Sequence, residues 1–368
     1  MQRKAFFLAS LTCFHLCFFA PNAVAASHNP KTHHSPRNKT PDGLAFGNTT
    51  AVAALAEQIA QTQQLPLHWV KQELSSAKHL KDLPKLVLPP PVSQPKNWRA
   101  YQARFIEPRR IAAGVSFWRN YKDALQRAEV TYGVPAEIIV GILGVETFYG
   151  QHMGNYRVLD ALTTLSLDFP AEHPRAAERQ AFFQSELGYF LKQVRQQAPK
   201  AKPILGSFAG AMGWPQFMPS SWAKFAVDFD GDGRIDLLNS PVDAIGSVAN
   251  YFKAFGWQTG MPTHYAVRFD ENKLDMAALL LPDILPTFTV ASFAAKGAML
   301  DDAAQTHAGQ LALVELLNGE EAPSYVAGTE NFYVVTRYNW SSYYAMAVIE
   351  LGQAVKAALP ANTQANGQ

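Results

Sequence analysis

A single carboxylate, Glu146, stands in the run GILGVETFYG (Gly141–Gly150), among residues that are otherwise apolar, small or aromatic. On a helix entered at Pro135, Glu146 shares one broad side with Ile138, Ile139, Ile142 and Val145. Neither Lys, Arg nor His lies within a helical turn of it. Without a local cation, desolvation dominates and raises a carboxyl pKa. An acid kept protonated in an apolar cleft can protonate a glycosidic oxygen. A buried structural Glu, satisfied by a distant Arg or by backbone amides, fits the same pattern, and the helix alone does not separate the two.

A second cluster has the sharpest spacing in the chain. In DFDGDGRIDLLNSPVDAIG, Asp228, Asp230 and Asp232 occupy positions 1, 3 and 5 of a calcium loop, with Gly233 at position 6 and the Arg234 carbonyl at position 7. Three carboxylates this close repel one another unless a hard cation neutralises them. Position 12 breaks the pattern: Asn239 replaces the bidentate Glu, and the next suitably placed acid is Asp243, so the loop is longer than standard. Asp243 has a rival role, because Ser240, Pro241 and Asp243 also read as N-cap, N1 and N3 of the following helix. The expectation is a structural Ca2+ held by Asp228, Asp230, Asp232, Arg234 and Asp243, with no organic cofactor.

Two further stretches could receive a ligand. GSFAGAMGWPQFMPSSW (Gly206–Trp222) sets Gly, Ser and Gln among aromatics, which allows close backbone approach with amides and hydroxyls pointing into a groove. RYNWSSYYAMAV (Arg337–Val348) sets Tyr338, Asn339 and Tyr344 around a helix start at Ser341 or Ser342. Flat aromatic faces with amides suit sugar rings; an aromatic core seam is the plainer alternative.

The elements that must position these residues are mostly helical. Residues 51–134 read as helices with Pro breaks, including TAVAALAEQIAQT and one long helix in GVSFWRNYKDALQRAEVTYGVP closed by Gly133. Further helices are expected at Ala176–Gln197, Ser220–Val227, Pro241–Phe255 and Ser341–Leu359. Between about Met261 and Val335, HYAVRFD, LPTFTVASFA, LALVELLNGEEAPSYVAGT and NFYVVTRYN read as β-rich, with NGEE and AGTEN as turns. The expected class is mainly α (α+β). Its expected parts are a helical domain at 51–134, a core at 135–260 with the acidic loop, a small β-containing subdomain at 261–335, and a closing helix at 336–360.

Of the 368 residues 48% are hydrophobic and 17% charged, which describes a globular chain with a sizeable core. The start reads as a signal peptide over 1–26: Arg3 and Lys4, an apolar run from Ala5 to Ala20, then small residues at 23–26. That run, about 16 residues, is short of the ~20 a spanning helix needs. Residues 27–50 are polar, Pro-rich and non-periodic, a disordered linker. Both cysteines, Cys13 and Cys17, fall in the leader, so the exported chain relies on its core and not on disulfides. Neither follows the small residue of a lipobox, which speaks against a lipid anchor on the outer membrane. Two of the 32 basic residues lie in the leader, and the remaining 30 balance the 30 acidic ones. A neutral balance is a poor footprint for nucleic acid and favours a neutral or amphoteric polymer as partner.

Together, GVPAEIIVGILGVETFYG, LDALTTLSLDFP, GSFAGAMGWPQFMPSSW, DFDGDGRIDL with SPVDAIGSVANYFKAFGW, and NFYVVTRYNWSSYYAMAV resemble the lytic murein transglycosylase B family, over roughly residues 50 to 358. The resemblance implies a lysozyme-like catalytic core with a flanking helical domain. It implies an exported, periplasmic and monomeric enzyme that acts on peptidoglycan glycan strands, with room for cell-wall-synthesis or membrane-associated partners. The reaction implied is non-hydrolytic cleavage of the β-1,4 bond between N-acetylmuramic acid and N-acetylglucosamine, giving a 1,6-anhydro product. Glu146 then matches the single catalytic acid. Ser207, Gln216, Tyr251, Tyr338, Asn339 and Tyr344 match groove residues, as do Tyr101 and Arg179, and the Asp228 loop matches an extended calcium loop. Two rivals stay open: a lysozyme-type hydrolase, with Asp160 or Asp168 as second carboxylate, and a non-catalytic, calcium-dependent glycan-binding protein.

Overall fold

The computed structural model describes residues 43–89, 95–196 and 203–360. The expected leader (1–26) and most of the expected linker lie outside the described residues. The end of that linker is not a free tether. Its backbone runs along residues 75–79, with Phe46 N–H donating to Ala77 O at 2.9 Å and His79 N–H to Leu44 O at 2.8 Å. The Phe46 ring adds an edge contact on His79. Thr49 then caps the helix Thr50–Gln63 by accepting the Val52 N–H.

The chain divides into two compact units. Among the described residues, the larger comprises 43–89, 107–196, 203–251 and 351–360. Its helices include Thr50–Gln63, Leu67–Ser76, Leu83–Leu86, Pro108–Asn120, Lys122–Tyr132, Ala136–Thr147, Val158–Leu167, Ala176–Gln196, Pro219–Phe225 and most of Pro241–Ala254, with the end of Ser342–Ala357. A two-stranded antiparallel ribbon, β1 (Tyr156–Arg157) with β2 (Leu205–Gly206), joins two of its loops. The long helix expected before Gly133 is two helices. Glu107 caps the first through the Arg109 and Arg110 amides, and the chain breaks at Tyr121 before Lys122–Tyr132. Gly133 does close the second, at φ 72°.

The helix Ala136–Thr147 is central. Residues 138–147 are all buried, so the one-sided amphipathic helix expected here is instead buried on nearly every side. Glu137, half-buried in its first turn, pairs with Lys356 at 3.0 Å. A Cβ on Gly352 would lie 2.0 Å from the Glu137 carbonyl oxygen, so only glycine permits this close helix crossing. No single described helix is long and apolar enough to cross a membrane.

Among the described residues, the smaller unit comprises Pro95–Ile106 and Phe252–Glu350. Its antiparallel sheet runs β4–β3–β6–β5, with β3 at His264–Phe269, β4 at Ala298–Leu300, β5 at Ala312–Asn318 and β6 at Glu321–Gly328. Leu279, Phe293, Ala298, Leu311, Leu313 and Ala327 form its core. The class is mainly α with a small β-containing part, as expected. HYAVRFD and the NGEE hairpin are strands as read, but two β readings are helices. Thr289 caps Val290–Ala295 inside LPTFTVASFA, and Thr329 caps Glu330–Thr336 inside NFYVVTRYN. In both, a cap hydroxyl satisfies a first-turn amide, and in the second the β-branched Val334, Val335 and Thr336 that suggested a strand are buried. The units also depart from the expected boundaries at 134, 260 and 335. Residues 95–106 sit on the β5–β6 hairpin because Gly319 N–H donates to Lys96 O at 3.0 Å and Asn97 bridges Asn318.

Candidate functional site

Glu146 is 7% exposed, one residue before the end of its helix. Beyond Thr147 the chain takes three successive left-handed residues, Phe148 (φ 52°), Tyr149 (φ 56°) and Gly150 (φ 81°). Tyr149 therefore lies beyond the helix, which ends at Thr147. The turn is held by Phe148 N–H to Gly144 O at 3.2 Å, Tyr149 N–H to Leu143 O at 3.0 Å and His152 N–H to Thr147 O at 2.9 Å. Burial holds the Tyr149 phenol well above its ordinary pKa, with nearby Arg110 partly offsetting this.

The Gly-rich loop closes on this turn. A Cβ at Gly150 would lie 2.6 Å from the Trp214 ring, and one at Gly154 2.1 Å from Gly206 O. Both glycines have positive φ, so no other residue fits without moving a neighbour. Gln216 is buried with φ 50°. Its amide nitrogen donates to Gly213 O at 2.9 Å and Met153 O at 3.2 Å, which fixes the amide plane. The Ser207 hydroxyl oxygen accepts Ala211 N–H at 3.0 Å and Ala209 N–H at 3.3 Å, and its own hydrogen remains to donate. The buried Arg179 guanidinium stacks over Phe182 at 4.9 Å and Phe183 at 5.2 Å. Tyr251 is wedged between Phe217 and Phe225, ring centroids 5.7 and 5.0 Å away.

Glu146, Arg179, Ser207, Gln216 and Tyr251 thus belong to the larger unit. Tyr101, Tyr338, Asn339 and Tyr344 belong to the smaller one. There Tyr338 and Tyr344 stack at 6.4 Å, with Phe252 5.8 Å from Tyr338. Half-buried Tyr101 packs with Trp98, Phe105 and Tyr343. Asn339 O accepts Ser341 N–H at 2.7 Å, and Ser341 caps the last helix through Tyr344 N–H. Tyr251, Tyr338 and Tyr344 are each 1% exposed, so for Tyr338 and Tyr344 the aromatic-seam alternative describes their packing. Their rings form aromatic seams, so any contact with a ligand uses an edge.

The acidic loop has the expected cluster. Carboxylate oxygens of Asp228, Asp230 and Asp232 lie within 4.8 Å of one another, all three residues exposed. Gly231 and Gly233 take positive φ at the sharp turn. The Asp228 carboxylate folds the loop around itself, accepting the amides of Gly231, Asp232 and Gly233 at 2.7, 3.2 and 2.8 Å. The Ser240 hydroxyl, donating to Asp230 at 2.7 Å, holds that carboxyl below its usual pKa. The Arg234 side chain pairs with Asp232 at 3.0 Å. Asp243 stands outside the cluster: buried, it accepts Phe229 N–H at 2.8 Å, Asp230 N–H at 3.2 Å and Asp236 N–H at 2.8 Å. Burial pushes its carboxyl up, and these amides pull it back. Its N–H also donates to the Ser240 hydroxyl, the capping role read as its rival function. The donor set is hard, anionic and oxygen-only, which suits Ca2+.

Long-range bonds that no local pattern in the sequence signals join these parts. Trp214 N–H donates to Leu237 O at 3.0 Å, and the Thr147 hydroxyl donates to Trp214 O at 2.9 Å. The glycines at 150, 154 and 213 were the available signal, since each marks a close approach of two loops.

Residues 47–353 match the transglycosylase SLT domain family. The chain is 42% identical over 322 residues to membrane-bound lytic murein transglycosylase B of Escherichia coli (strain K12), covering 85% of this chain and 84% of that protein. The crystal structure of soluble lytic transglycosylase SltB1 from Pseudomonas aeruginosa superposes with TM-score 0.75 at 38% identity, covering 83% of this chain and 98% of that one. The E. coli lytic transglycosylase Slt35 in complex with calcium gives TM-score 0.74 at 39% identity, covering 89% of this chain and 99% of that one.

Proposed function

The chain belongs to the transglycosylase SLT domain family and is a lytic murein transglycosylase with the expected lysozyme-like fold, and we propose that Glu146 is its single acid and base. The observation that carries this assignment is the burial of one carboxylate at the end of a helix whose residues 138–147 are all buried. Glu146 protonates the oxygen leaving between N-acetylmuramic acid and N-acetylglucosamine. The sugar's 2-acetamido group supports the anomeric carbon. Ionised Glu146 then takes the proton of the muramyl 6-hydroxyl, whose oxygen closes on the anomeric carbon to give the 1,6-anhydro ring. Because that hydroxyl is tethered, it outcompetes bulk water when the site is dry. Arg179, Ser207, Gln216 and Tyr251, and in the smaller unit Tyr101, Tyr338, Asn339 and Tyr344, are the residues offered to the glycan strand.

The hydrolase reading is weakened by what its second carboxylates do. Asp160 is 1% exposed and bonded to Lys78 N–H and Arg157, each at 2.9 Å, while Asp168 is exposed and paired with His79. The loop of Asp228, Asp230 and Asp232 would hold a structural Ca2+ with the Arg234 carbonyl. Asp243, holding the loop amides from beneath, keeps a lone pair for the same ion. A cell-envelope location follows the murein substrate, and export through residues 1–26 to the periplasm fits it. The test is digestion of peptidoglycan by wild type and Glu146→Gln with mass spectrometry of the products. Anhydro-muramic ends from wild type and none from the variant are expected. Reducing muramic ends from wild type, or undiminished lysis by the variant, would defeat the assignment.

A further inference from the structure

Directly after Glu146 the chain accumulates unfavourable local features. Phe148 and Tyr149 are bulky residues in the left-handed region, which side chains of their kind rarely adopt. The Tyr149 hydroxyl is buried without a hydrogen-bond partner, between Gly114 and Gly144. Strain of this sort persists where the surroundings over-determine it, and it gathers at functional sites. What the strained turn builds is a junction centred on Thr147, which is fully buried. The Thr147 hydroxyl accepts Gly150 N–H at 3.0 Å and donates to Trp214 O at 2.9 Å, with Leu143 O at 3.3 Å as its weaker alternative. One hydroxyl therefore ties together the end of the Glu146 helix, the left-handed turn and the 213–217 loop. That loop also carries Gln216, whose amide is bonded back to Met153 beyond the same turn.

We infer that Thr147 is a positioning residue for the transglycosylase reaction: its hydroxyl locks the helix end that carries Glu146 to the loop that carries Gln216. The inference rests on Glu146 being the acid. A side chain one position from the catalytic carboxyl, on the last helical residue, has no slack between itself and that group. If the junction loosens, the carboxyl and the Gln216 amide shift relative to each other, and a displacement of about 1 Å can cost on the order of 100-fold in rate.

The experiment compares Thr147→Val, which keeps the shape and removes the hydroxyl, with Thr147→Ser, which restores it. Both are measured on a soluble glycan oligomer for kcat, KM and the pH profile of kcat, together with Tm. Leu279→Ala in the sheet core serves as a variant of lowered stability remote in sequence from the junction. The expected result is a kcat at least tenfold lower for Thr147→Val with KM changed less than threefold, a displaced pH profile, and recovery of both in Thr147→Ser. Leu279→Ala should lower Tm without moving the profile. An unchanged kcat and profile in Thr147→Val, or no recovery in Thr147→Ser, would overturn the inference. Activity surviving in Glu146→Gln would instead remove the premise, so the two failures are distinguishable.

Discussion

Gly144 and Tyr149 meet as notch and peg: a Cβ built on Gly144 would stand 2.5 Å from the Tyr149 hydroxyl oxygen and 2.7 Å from a Leu351 methyl. Gly144 lies two residues before Glu146, so the peg fixes the last turn of the helix from the side. Gly144→Ala should raise intrinsic helix propensity by about 1 kcal/mol, yet overpacking against the ring costs ~1–3 kcal/mol and should win. Tyr149→Phe removes a buried hydroxyl without a partner and should be neutral or stabilising by up to about 1 kcal/mol. Urea unfolding of both variants checks the pair. An Ala variant as stable as wild type would show that the notch is not filled in solution.

How much of this was legible in the sequence depended on the range of the contacts. Glu146 stands out as a candidate because its neighbours along one helix are apolar, which is local information. The Asp228–Gly233 turn was found because ligand spacing is local too. The junction at Thr147 was not, because Trp214 lies 67 residues away and no pattern within a window connects them. NFYVVTRYN was misread because its β-branched run outweighed a single cap: Thr329 N-caps Glu330–Thr336 and its hydroxyl also donates to Pro262 O at 2.7 Å. Sequence does not say whether an aromatic ring presents its face to solvent, and Tyr338 and Tyr344 stack on each other.

The acidic loop separates two kinds of aspartate. Asp243 holds three loop amides from a buried position, whereas Asp232 is exposed and accepts Arg234 N–H. Asp243→Ala should therefore lower stability by about 2–4 kcal/mol even without added ion, because the amides lose their acceptor. Asp232→Asn should leave the ion-free Tm within about 1 °C, since exposed groups contribute little. In wild type, added Ca2+ at 100 times its Kd should stabilise by about 2.7 kcal/mol, and Asp232→Asn should abolish most of that rise. Differential scanning calorimetry with and without Ca2+ decides it. No calcium-dependent shift in wild type would remove the ion from the account.

Half-buried Glu350 faces the Gln102 amide, and burial raises its carboxyl pKa more than that hydrogen bond lowers it. The sign follows from linkage. With the folded pKa above the unfolded one, the unfolded state gives up its proton first, so stability is greatest below the unfolded pKa and declines as pH rises through the folded value. Glu350→Gln keeps an amide opposite Gln102 and removes the titration. The Tm difference, variant minus wild type, should grow more positive from pH 4 to pH 7 and level off above. A difference independent of pH would mean that Glu350 is as well solvated folded as unfolded.

Asp160 offers the cleanest division between structure and chemistry in the core. Its carboxylate oxygen accepts both Lys78 N–H and the Arg157 guanidinium, and it is the one acid on its helix and is buried. Truncation leaves a buried amide and a partly buried cation without their acceptor, so Asp160→Ala should lose about 2–4 kcal/mol of stability. If the reaction needs only one carboxylate, the folded fraction of this variant should keep wild-type kcat and still release anhydro-muramic ends. A hydrolytic second carboxylate behaves otherwise: its loss would collapse kcat by orders of magnitude at temperatures where the protein remains folded. Thermal unfolding alongside product mass spectrometry at 15–20 °C below Tm reads both quantities on one sample. A stable but inactive Asp160→Ala would return the hydrolase to first place.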